Sequence, residues 1–238
     1  MIILISIFAF IFTLLGGLFA LRFKDKLHLI LGFSAGAVVA VAFFDLLPEA
    51  LELARVYPVS LITTFVAVGF ASYMVLDRLV IMHGHADDEH DHHDRRGFLG
   101  AGSLSIHSFL DGVAIGLAFQ VSTAVGAIVA TAVLVHDFSD GINTVGLIMK
   151  NGGERKKAFK WLLVDAIAPV VGIISTMFFS LPEQTLGIVL AVFTGFFLYI
   201  GASDLLPESH HNHPTVWTTV STLIGMVVLF CAISIAGL

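Results

Sequence analysis

The sequence predicts an all-α polytopic membrane protein that crosses the bilayer eight times within one transmembrane domain, residues 1–238. Two observations predict this fold class. The chain is 57% hydrophobic and 13% charged, whereas about a quarter of the residues of a soluble domain are charged. Its apolar stretches each contain the roughly 20 residues that a helix needs to cross the hydrocarbon. They are continuous, unlike the alternating strands of a membrane β-barrel.

Stretches that carry few or no charges define the predicted spans. Span 1 has no basic residue before it and is followed by Arg22, Lys24 and Lys26. We therefore expect it to be retained rather than cleaved as a signal peptide. The spans are predicted at residues 1–21, 28–50, 58–82, 98–120, 123–149, 158–180, 184–206 and 214–236.

The composition also excludes classes of function. So few charged residues exclude a water-soluble enzyme with an ordinary polar surface. A nucleic-acid partner is not expected, because 12 basic residues face 18 acidic ones and the net charge is −6. The single cysteine, Cys231, permits neither an internal disulfide nor a thiolate metal cluster.

Basic residues predict the orientation of the spans. All of them except Arg55 lie in or beside the loops that follow spans 1, 3 and 5. Because loops rich in Lys and Arg face the cytosol, both termini are predicted outside the cell. The compact chain favours a multi-pass protein of the plasma (inner) membrane.

Ionisable residues interrupt three of the predicted spans. Each Asp at the centre of a membrane helix costs about 2.5–3.5 kcal/mol on the insertion scale. Fold stability gives no reason to carry that cost, so these residues indicate a substrate path or a relay. They are His107 and Asp111 in span 4, His136, Asp137 and Asp140 in span 5, and Asp165 in span 6.

The spacing of these residues predicts a metal site. His107 and Asp111 are four residues apart, as are His136 and Asp140, so each pair lies on one helix face. Spans 4 and 5 are antiparallel neighbours, and at 1.5 Å per residue both pairs lie near mid-bilayer. Imidazole with carboxylate suits Zn²⁺, Fe²⁺ or Mn²⁺. The alternative is a structural hydrogen bond within each helix, which two copies at one depth disfavour.

The string DLLPE occurs twice, at residues 45–49 and 204–208. Under the predicted topology one copy lies at the outer end of span 2 and the other at the inner end of span 7. Inverted repeats around a site at mid-depth are typical of alternating-access transporters. Asp45 and Asp204 are therefore candidate vestibule carboxylates. The alternative, that DLLPE merely ends a helix before proline, does not explain the pairing.

The segments HSFLDGVAIG in span 4 and HDFSDG in span 5, with a His-rich run before span 4, resemble the ZIP family of divalent metal transporters. The resemblance covers essentially the whole chain. It implies a ZIP-like helix bundle, a homodimer, and zinc, iron or manganese carried into the cytosol as substrate rather than cofactor. By motif position, the implied ligands are His107, Asp111, His136, Asp137 and Asp140.

Three positions depart from the family pattern. Ser108 occupies the place where Asn is usual and is a further candidate metal-site residue. The family's Glu-Pro of span 6 is replaced by Ala168 and Pro169, and Asp165 lies one turn earlier. Asp165 is the candidate to replace the missing Glu if the helix rotates or the site shifts, so a second, bridged metal remains an open question.

A loop predicted on the cytosolic side, residues 83–97, is rich in His and Asp. Such a chain chelates divalent ions weakly, as a receiving buffer or sensor would; the alternative is a solvated linker of biased composition. Its histidines are His83, His85, His90, His92 and His93.

Transport of divalent transition metals by alternating access is the leading interpretation, with the lipid bilayer as partner and no enzymatic activity. The alternative is an intramembrane zinc-dependent hydrolase, for which His107, His136 and one Asp would supply three ligands and leave a water position open. The absence of an HExxH motif, the inverted repeat and the lack of an assigned general base disfavour it. A third interpretation is a metal exporter of the cation-diffusion type. The eight predicted spans disfavour it, because such an exporter usually has six spans and a cytosolic C-terminal domain.

Overall fold

The computed structural model describes residues 1–22, 27–83, 92–150, 153–211 and 216–236. Within these ranges the regular structure is helical, and eight helices are long and apolar enough to cross a membrane. This confirms the predicted fold class. Of the histidines predicted in the cytosolic loop, His85 and His90 lie outside the described residues.

Five spans are single uninterrupted helices, and the helix of span 6 ends in a 3₁₀ turn. The uninterrupted helices are span 1 (Ile2–Arg22), span 3 (Val59–His83), span 4 (His92–Val121), span 5 (Thr123–Lys150) and span 8 (Val216–Ala236). Span 6 is formed by Arg155–Ser175 with the turn Thr176–Phe178.

The helix of span 4 begins before its apolar stretch does. Its first residues, from His92 onward, belong to the segment predicted as a loop, and the helix of span 3 continues to His83. Hydropathy marks only the part of a helix that lies in hydrocarbon. Charged residues such as Arg95 and Arg96 lower the hydropathy but have good helix propensity, so the backbone remains helical beyond the apolar limit.

Spans 2 and 7 are each interrupted by a π-helical turn. Span 2 consists of Leu27–Val41, the π turn Ala42–Leu46 and Leu47–Leu53, and span 7 of Glu183–Tyr199, the π turn Ile200–Leu205 and Leu206–His211. Pro48 and Pro207 follow these turns and lack the N–H that would bond four residues back. A π turn accommodates this missing bond within a continuous helix. The two DLLPE copies therefore adopt the same local structure.

The spans pack in two groups of four. The first group contains spans 1, 4, 5 and 6, and the second contains spans 2, 3, 7 and 8. Where the groups meet, span 2 lies against span 5, span 3 against span 4, and span 7 against span 4. Neither group is continuous in sequence, so the chain passes repeatedly between them.

Glycines allow the close approach of helices inside each group. A Cβ at Gly112 in span 4 would overlap the backbone carbonyl of Pro169 in span 6, and one at Gly36 in span 2 would overlap the carbonyl of Thr222 in span 8. For the residues that the structure describes, every glycine whose added Cβ would meet the backbone of another span meets one of its own group. Small residues at such contacts are the usual basis of helix packing in membranes.

The interface between the groups contains many buried apolar side chains and a hydrogen bond between two serines. Val38 of span 2, Val133 of span 5 and Phe197 of span 7 belong to one buried hydrophobic cluster that extends across both groups. Ser34 of span 2 and Ser139 of span 5 are hydrogen-bonded across the interface, with 2.9 Å between their hydroxyl oxygens. The polar residues of spans 4 and 5 lie beside this interface.

Candidate metal centre

Four of the ionisable residues in spans 4 and 5 converge at one point. One ligand atom from each of His107, Asp111, His136 and Asp140 lies within 4.8 Å of the others. The four side chains are buried, with at most 4% of each residue exposed. The i,i+4 spacing directs each His and Asp pair from one helix face, and the antiparallel packing of spans 4 and 5 brings the two faces together.

Two imidazoles and two carboxylates face a common centre in this group. The Oδ2 atom of Asp111 lies 3.0 Å from Nε2 of His107 and 3.1 Å from Nε2 of His136. The Oδ2 atom of Asp140 lies 3.4 Å from Nε2 of His107 and 3.9 Å from Nε2 of His136. Ligands about 2.1 Å from a tetrahedral ion lie about 3.4 Å apart. The group therefore has the donor set and the spacing for a divalent cation.

The side of each imidazole that points away from the centre is held by a hydrogen bond. The Nδ1–H of His136 donates to the carbonyl oxygen of Ala132, one turn earlier in span 5, at 2.9 Å. The Nδ1 atom of His107 is hydrogen-bonded to the hydroxyl of Tyr73 in span 3, at 2.5 Å. Bonds of this kind fix the orientation of a metal-binding histidine and leave the Nε2 lone pair for the ion.

Several buried polar atoms at the centre have no hydrogen-bond partner among the described residues. They include Nε2 of His107 and Oδ2 of Asp140, and both carboxylate oxygens of Asp137. Buried polar atoms are nearly always paired, and an unpaired one costs about 1–3 kcal/mol. A cation at the centre would satisfy the atoms of His107 and Asp140 together. Asp137, although adjacent to His136 in sequence, is not one of the four converging residues.

Ser108 and Asp165 are bonded to each other beside the four converging residues. The hydroxyl of Ser108 donates to Oδ1 of Asp165, and the hydroxyl of Thr144 donates to Oδ2, each at 2.8 Å. Asp165 is fully buried, so span 6 presents a carboxylate whose two oxygens both accept hydrogen bonds from spans 4 and 5. The helix thus brings Asp165 against span 4 without placing it among the converging ligand atoms.

The remaining predicted site residues are located by the helices that contain them. Asp45 lies in the π turn of span 2, is 3% exposed, and its Oδ2 has no hydrogen-bond partner among the described residues. Asp204 lies in the π turn of span 7. His83 ends the helix of span 3, and His92 and His93 begin the helix of span 4.

Two polar residues near the centre were not predicted from the sequence. Thr144 lies four residues after Asp140, on the same helix face, so the spacing already contained a signal for it. Tyr73 lies in an apolar span that also contains Phe65 and Phe70, and nothing in the local sequence pairs it with His107. Only the packing of span 3 against span 4 brings them together.

Known proteins that are similar to this chain include zinc transporters. The family described as ZIP Zinc transporter matches residues 93–236. The zinc transporter ZupT of Corynebacterium aurimucosum is 29% identical over 228 residues, which cover 87% of this chain and 83% of that protein. The zinc transporter foi of Drosophila melanogaster is 28% identical over 122 residues, 51% of this chain and 17% of that protein. The human zinc transporter ZIP4 is 29% identical over 103 residues, 43% of this chain and 16% of that protein.

The length that is shared differs between these relatives. The matched part spans most of the bacterial protein but less than a fifth of the fly and human proteins. The matched family covers spans 4 to 8, and therefore includes the four converging residues and Asp165.

Proposed function

Because this chain belongs to the ZIP zinc transporter family, we propose that it carries divalent transition metal ions across the plasma membrane into the cytosol. The family is one of transporters rather than enzymes, and the chain is a multi-pass membrane protein. The observation that supports the proposal is the buried group of His107, Asp111, His136 and Asp140 within an apolar helix bundle. An intramembrane hydrolase has no support from the relatives.

The donor set supports Zn²⁺ as the first substrate, with Fe²⁺ and Mn²⁺ as further candidates. Neutral imidazole suits zinc and iron, whereas carboxylates also suit manganese. Two carboxylates balance the charge of one divalent ion, which lowers the cost of holding it in a medium of low dielectric constant. In this proposal Asp137, with two unpaired buried oxygens, is an additional ligand during entry or release. Ser108 and Asp165 lie at the edge of the site that faces span 6.

Movement of one helix group against the other is the proposed basis of alternating access. All four ligands belong to the group of spans 1, 4, 5 and 6, whereas spans 3 and 7 of the other group lie against span 4 and span 2 lies against span 5. Glycine-mediated contacts hold each group together, and side chains fill the interface between the groups. Sliding along this interface would uncover the ligands first on one side and then on the other.

Inward transport is proposed from the family resemblance, and the predicted orientation assigns the two sides of the path. With basic loops facing the cytosol, Asp45 of span 2 lies on the outer path to the site and Asp204 of span 7 on the inner path. The segment from His83 to His93 then forms a weak receiving site for ions in the cytosol. We also propose a homodimer, as the family resemblance implies; light scattering of the detergent-solubilised protein measures its mass.

The experiment that tests the metal site is uptake into proteoliposomes loaded with a zinc-sensitive dye. Asp111→Asn and Asp140→Asn keep the shape of each side chain and remove its charge, so we expect at least a tenfold loss of saturable uptake. Glu52→Gln is the matched control, because Glu52 is an exposed carboxylate at the end of span 2. Wild-type uptake by both Asn variants would refute the site.

A second measurement locates the ion directly. Anomalous scattering from crystals soaked in Zn²⁺ should give a peak between Nε2 of His107 and Nε2 of His136. The number of peaks also determines whether one or two metals are held. A peak remote from all four side chains would contradict the proposed ligand set.

A further inference from the structure

The two imidazoles of the proposed metal site are held by different parts of the molecule. The Nδ1–H of His136 donates to a carbonyl of its own span. The Nδ1 atom of His107 is instead hydrogen-bonded to Tyr73 of span 3, which belongs to the other helix group. One ligand is therefore oriented within its own group, and the other is oriented from across the interface.

Tyr73 is itself fixed by aromatic packing. Its ring lies against Phe196 and Tyr199 of span 7, with ring centroids 5.5 Å and 5.4 Å away. It also meets the ring of His107 edge-on, at a centroid distance of 5.7 Å. Spans 3 and 7 pack closely together, so the phenol oxygen is presented to His107 from a packed surface. A side chain packed in this way has little freedom to follow a rotating imidazole.

The bond at Nδ1 determines what Nε2 is able to do. A neutral imidazole carries one proton, and the nitrogen without it has the lone pair that binds a metal. When the Nδ1–H of His107 donates to the Tyr73 oxygen, the Nε2 lone pair is directed at Asp111 and Asp140, 3.0 Å and 3.4 Å away. Without the phenol, the ring is free to take the other tautomer or to turn.

We propose that Tyr73 is a positioning residue that holds the metal ligand His107 from the opposite helix group. The inference rests on the proposed function, since it concerns the same metal site. The proposal gives span 3 a role in ion binding, although the predicted ligands at mid-membrane lie in other spans. It also links metal affinity to the relative position of the two groups, because movement along the interface separates Tyr73 from His107.

The first test is Tyr73→Phe, which removes one oxygen and keeps the ring. Loss of an outer partner of a metal ligand typically weakens binding 10- to 100-fold, so we expect the Kd for Zn²⁺, measured by calorimetry in detergent, to rise about tenfold. The KM for uptake should rise with it, while the maximal rate changes less than about twofold. A general loss of packing would instead lower the amount of active protein and the maximal rate, with KM unchanged.

The matched control is Tyr199→Phe. Tyr199 packs against Tyr73 in the same aromatic cluster and is buried. The variant therefore measures how removal of a phenol oxygen from this cluster, at a residue other than Tyr73, affects the Kd. Its Kd for Zn²⁺ should equal that of the wild type. If Tyr73→Phe lowers the thermal transition, the Kd is measured well below that transition, where the variant is folded, and should show the same rise.

A double-mutant cycle with His107→Ala tests whether Tyr73 acts through His107. In the His107→Ala background, Tyr73→Phe should not change the Kd further, because the residue that it positions is absent. Independent, additive losses would overturn the inference, as would an unchanged Kd in Tyr73→Phe alone. An unchanged Kd in His107→Ala would refute the proposed metal site instead, so the two failures are distinguishable.

Discussion

The polar residues of spans 4, 5 and 6 differ in whether they are paired. Both oxygens of Asp165 accept hydroxyl hydrogen bonds, whereas both oxygens of Asp137 have no hydrogen-bond partner among the described residues. The hydrogen bonds to Asp165 offset part of the cost of burying it, whereas burial of the Asp137 oxygens without a partner costs about 1–3 kcal/mol. The two residues are therefore expected to respond differently to substitution.

Substitution of these two residues tests that difference. Asp137→Asn replaces a buried carboxyl group that has no hydrogen-bond partner among the described residues with an amide that cannot ionise, so we expect the metal-free protein to gain about 1 kcal/mol in the free energy of unfolding. Asp165→Asn replaces one of two acceptor oxygens with a donor and should lose about 1–3 kcal/mol. Thermal unfolding in the presence of a chelator measures both. A shift in the same direction for both variants would contradict the assignment.

The occupied site should stabilise the protein. Because Nε2 of His107 and Oδ2 of Asp140 are unpaired in the structure, a bound ion satisfies them only in the folded state. Zinc at 100 times its Kd should add about 2.7 kcal/mol, measurable as a rise in the unfolding temperature. Asp140→Asn should lose this rise, and Glu52→Gln should keep it. An equal rise in all three proteins would indicate zinc binding elsewhere.

At the scale of the helices, close packing depends on a few backbone contacts. Gly112 lies against the carbonyl of Pro169, within a contact that brings Ser108 to Asp165 at hydrogen-bond distance. The carbonyls around Pro169 are rigid parts of a helix, so a side chain at Gly112 is accommodated only if spans 4 and 6 separate. The same contact thus determines the position of the span 6 carboxylate.

Gly112→Ala should therefore destabilise the bundle. We expect a loss of about 1–3 kcal/mol in the free energy of unfolding, because the added methyl overlaps backbone atoms, as in the overpacking of a core. Gly146→Ala is the control, since a Cβ there meets nothing within 4 Å, and Ala improves helix propensity by about 0.8–1 kcal/mol. Scanning fluorimetry compares the two. Equal transitions would show that spans 4 and 6 tolerate separation.

The helices were more predictable than their interruptions and their boundaries. Continuous apolar stretches predicted eight spans because hydrophobic length alone determines which segments cross a bilayer. The i,i+4 pairs predicted which residues share a helix face. The π turns at Asp45 and Asp204 were not predicted, because a proline removes one hydrogen bond without specifying how the helix absorbs it. Tyr73 was missed because its contact with His107 depends on packing between distant segments.

At the scale of the whole molecule, the two groups meet at an interface that includes two hydrogen bonds between side chains of opposite groups. Ser34 and Ser139 join spans 2 and 5, and Tyr73 and His107 join spans 3 and 4. If ions are carried by movement of one group against the other, a covalent bond at the first of these places should stop transport without touching the ligands.

A reversible cross-link tests this movement. In a Cys231→Ser background, Ser34→Cys with Ser139→Cys places two thiols where hydroxyl oxygens are 2.9 Å apart, close enough for a bond of about 2.05 Å. Oxidation should abolish zinc uptake, and a reductant should restore it. Each single cysteine variant is the control and should be insensitive to oxidant. Full uptake by the cross-linked protein would exclude sliding at this interface.

The interleaved order of the two groups also determines how the protein is assembled. Span 1 is synthesised before its partners in spans 5 and 6, and span 2 before its partner span 8. The early spans must therefore enter the bilayer singly, and their strongly apolar sequences allow this. The acid-bearing spans 4 and 5 follow as adjacent helices. The second group is completed only when the ribosome has finished span 8, so premature termination would leave span 2 without its contact with span 8.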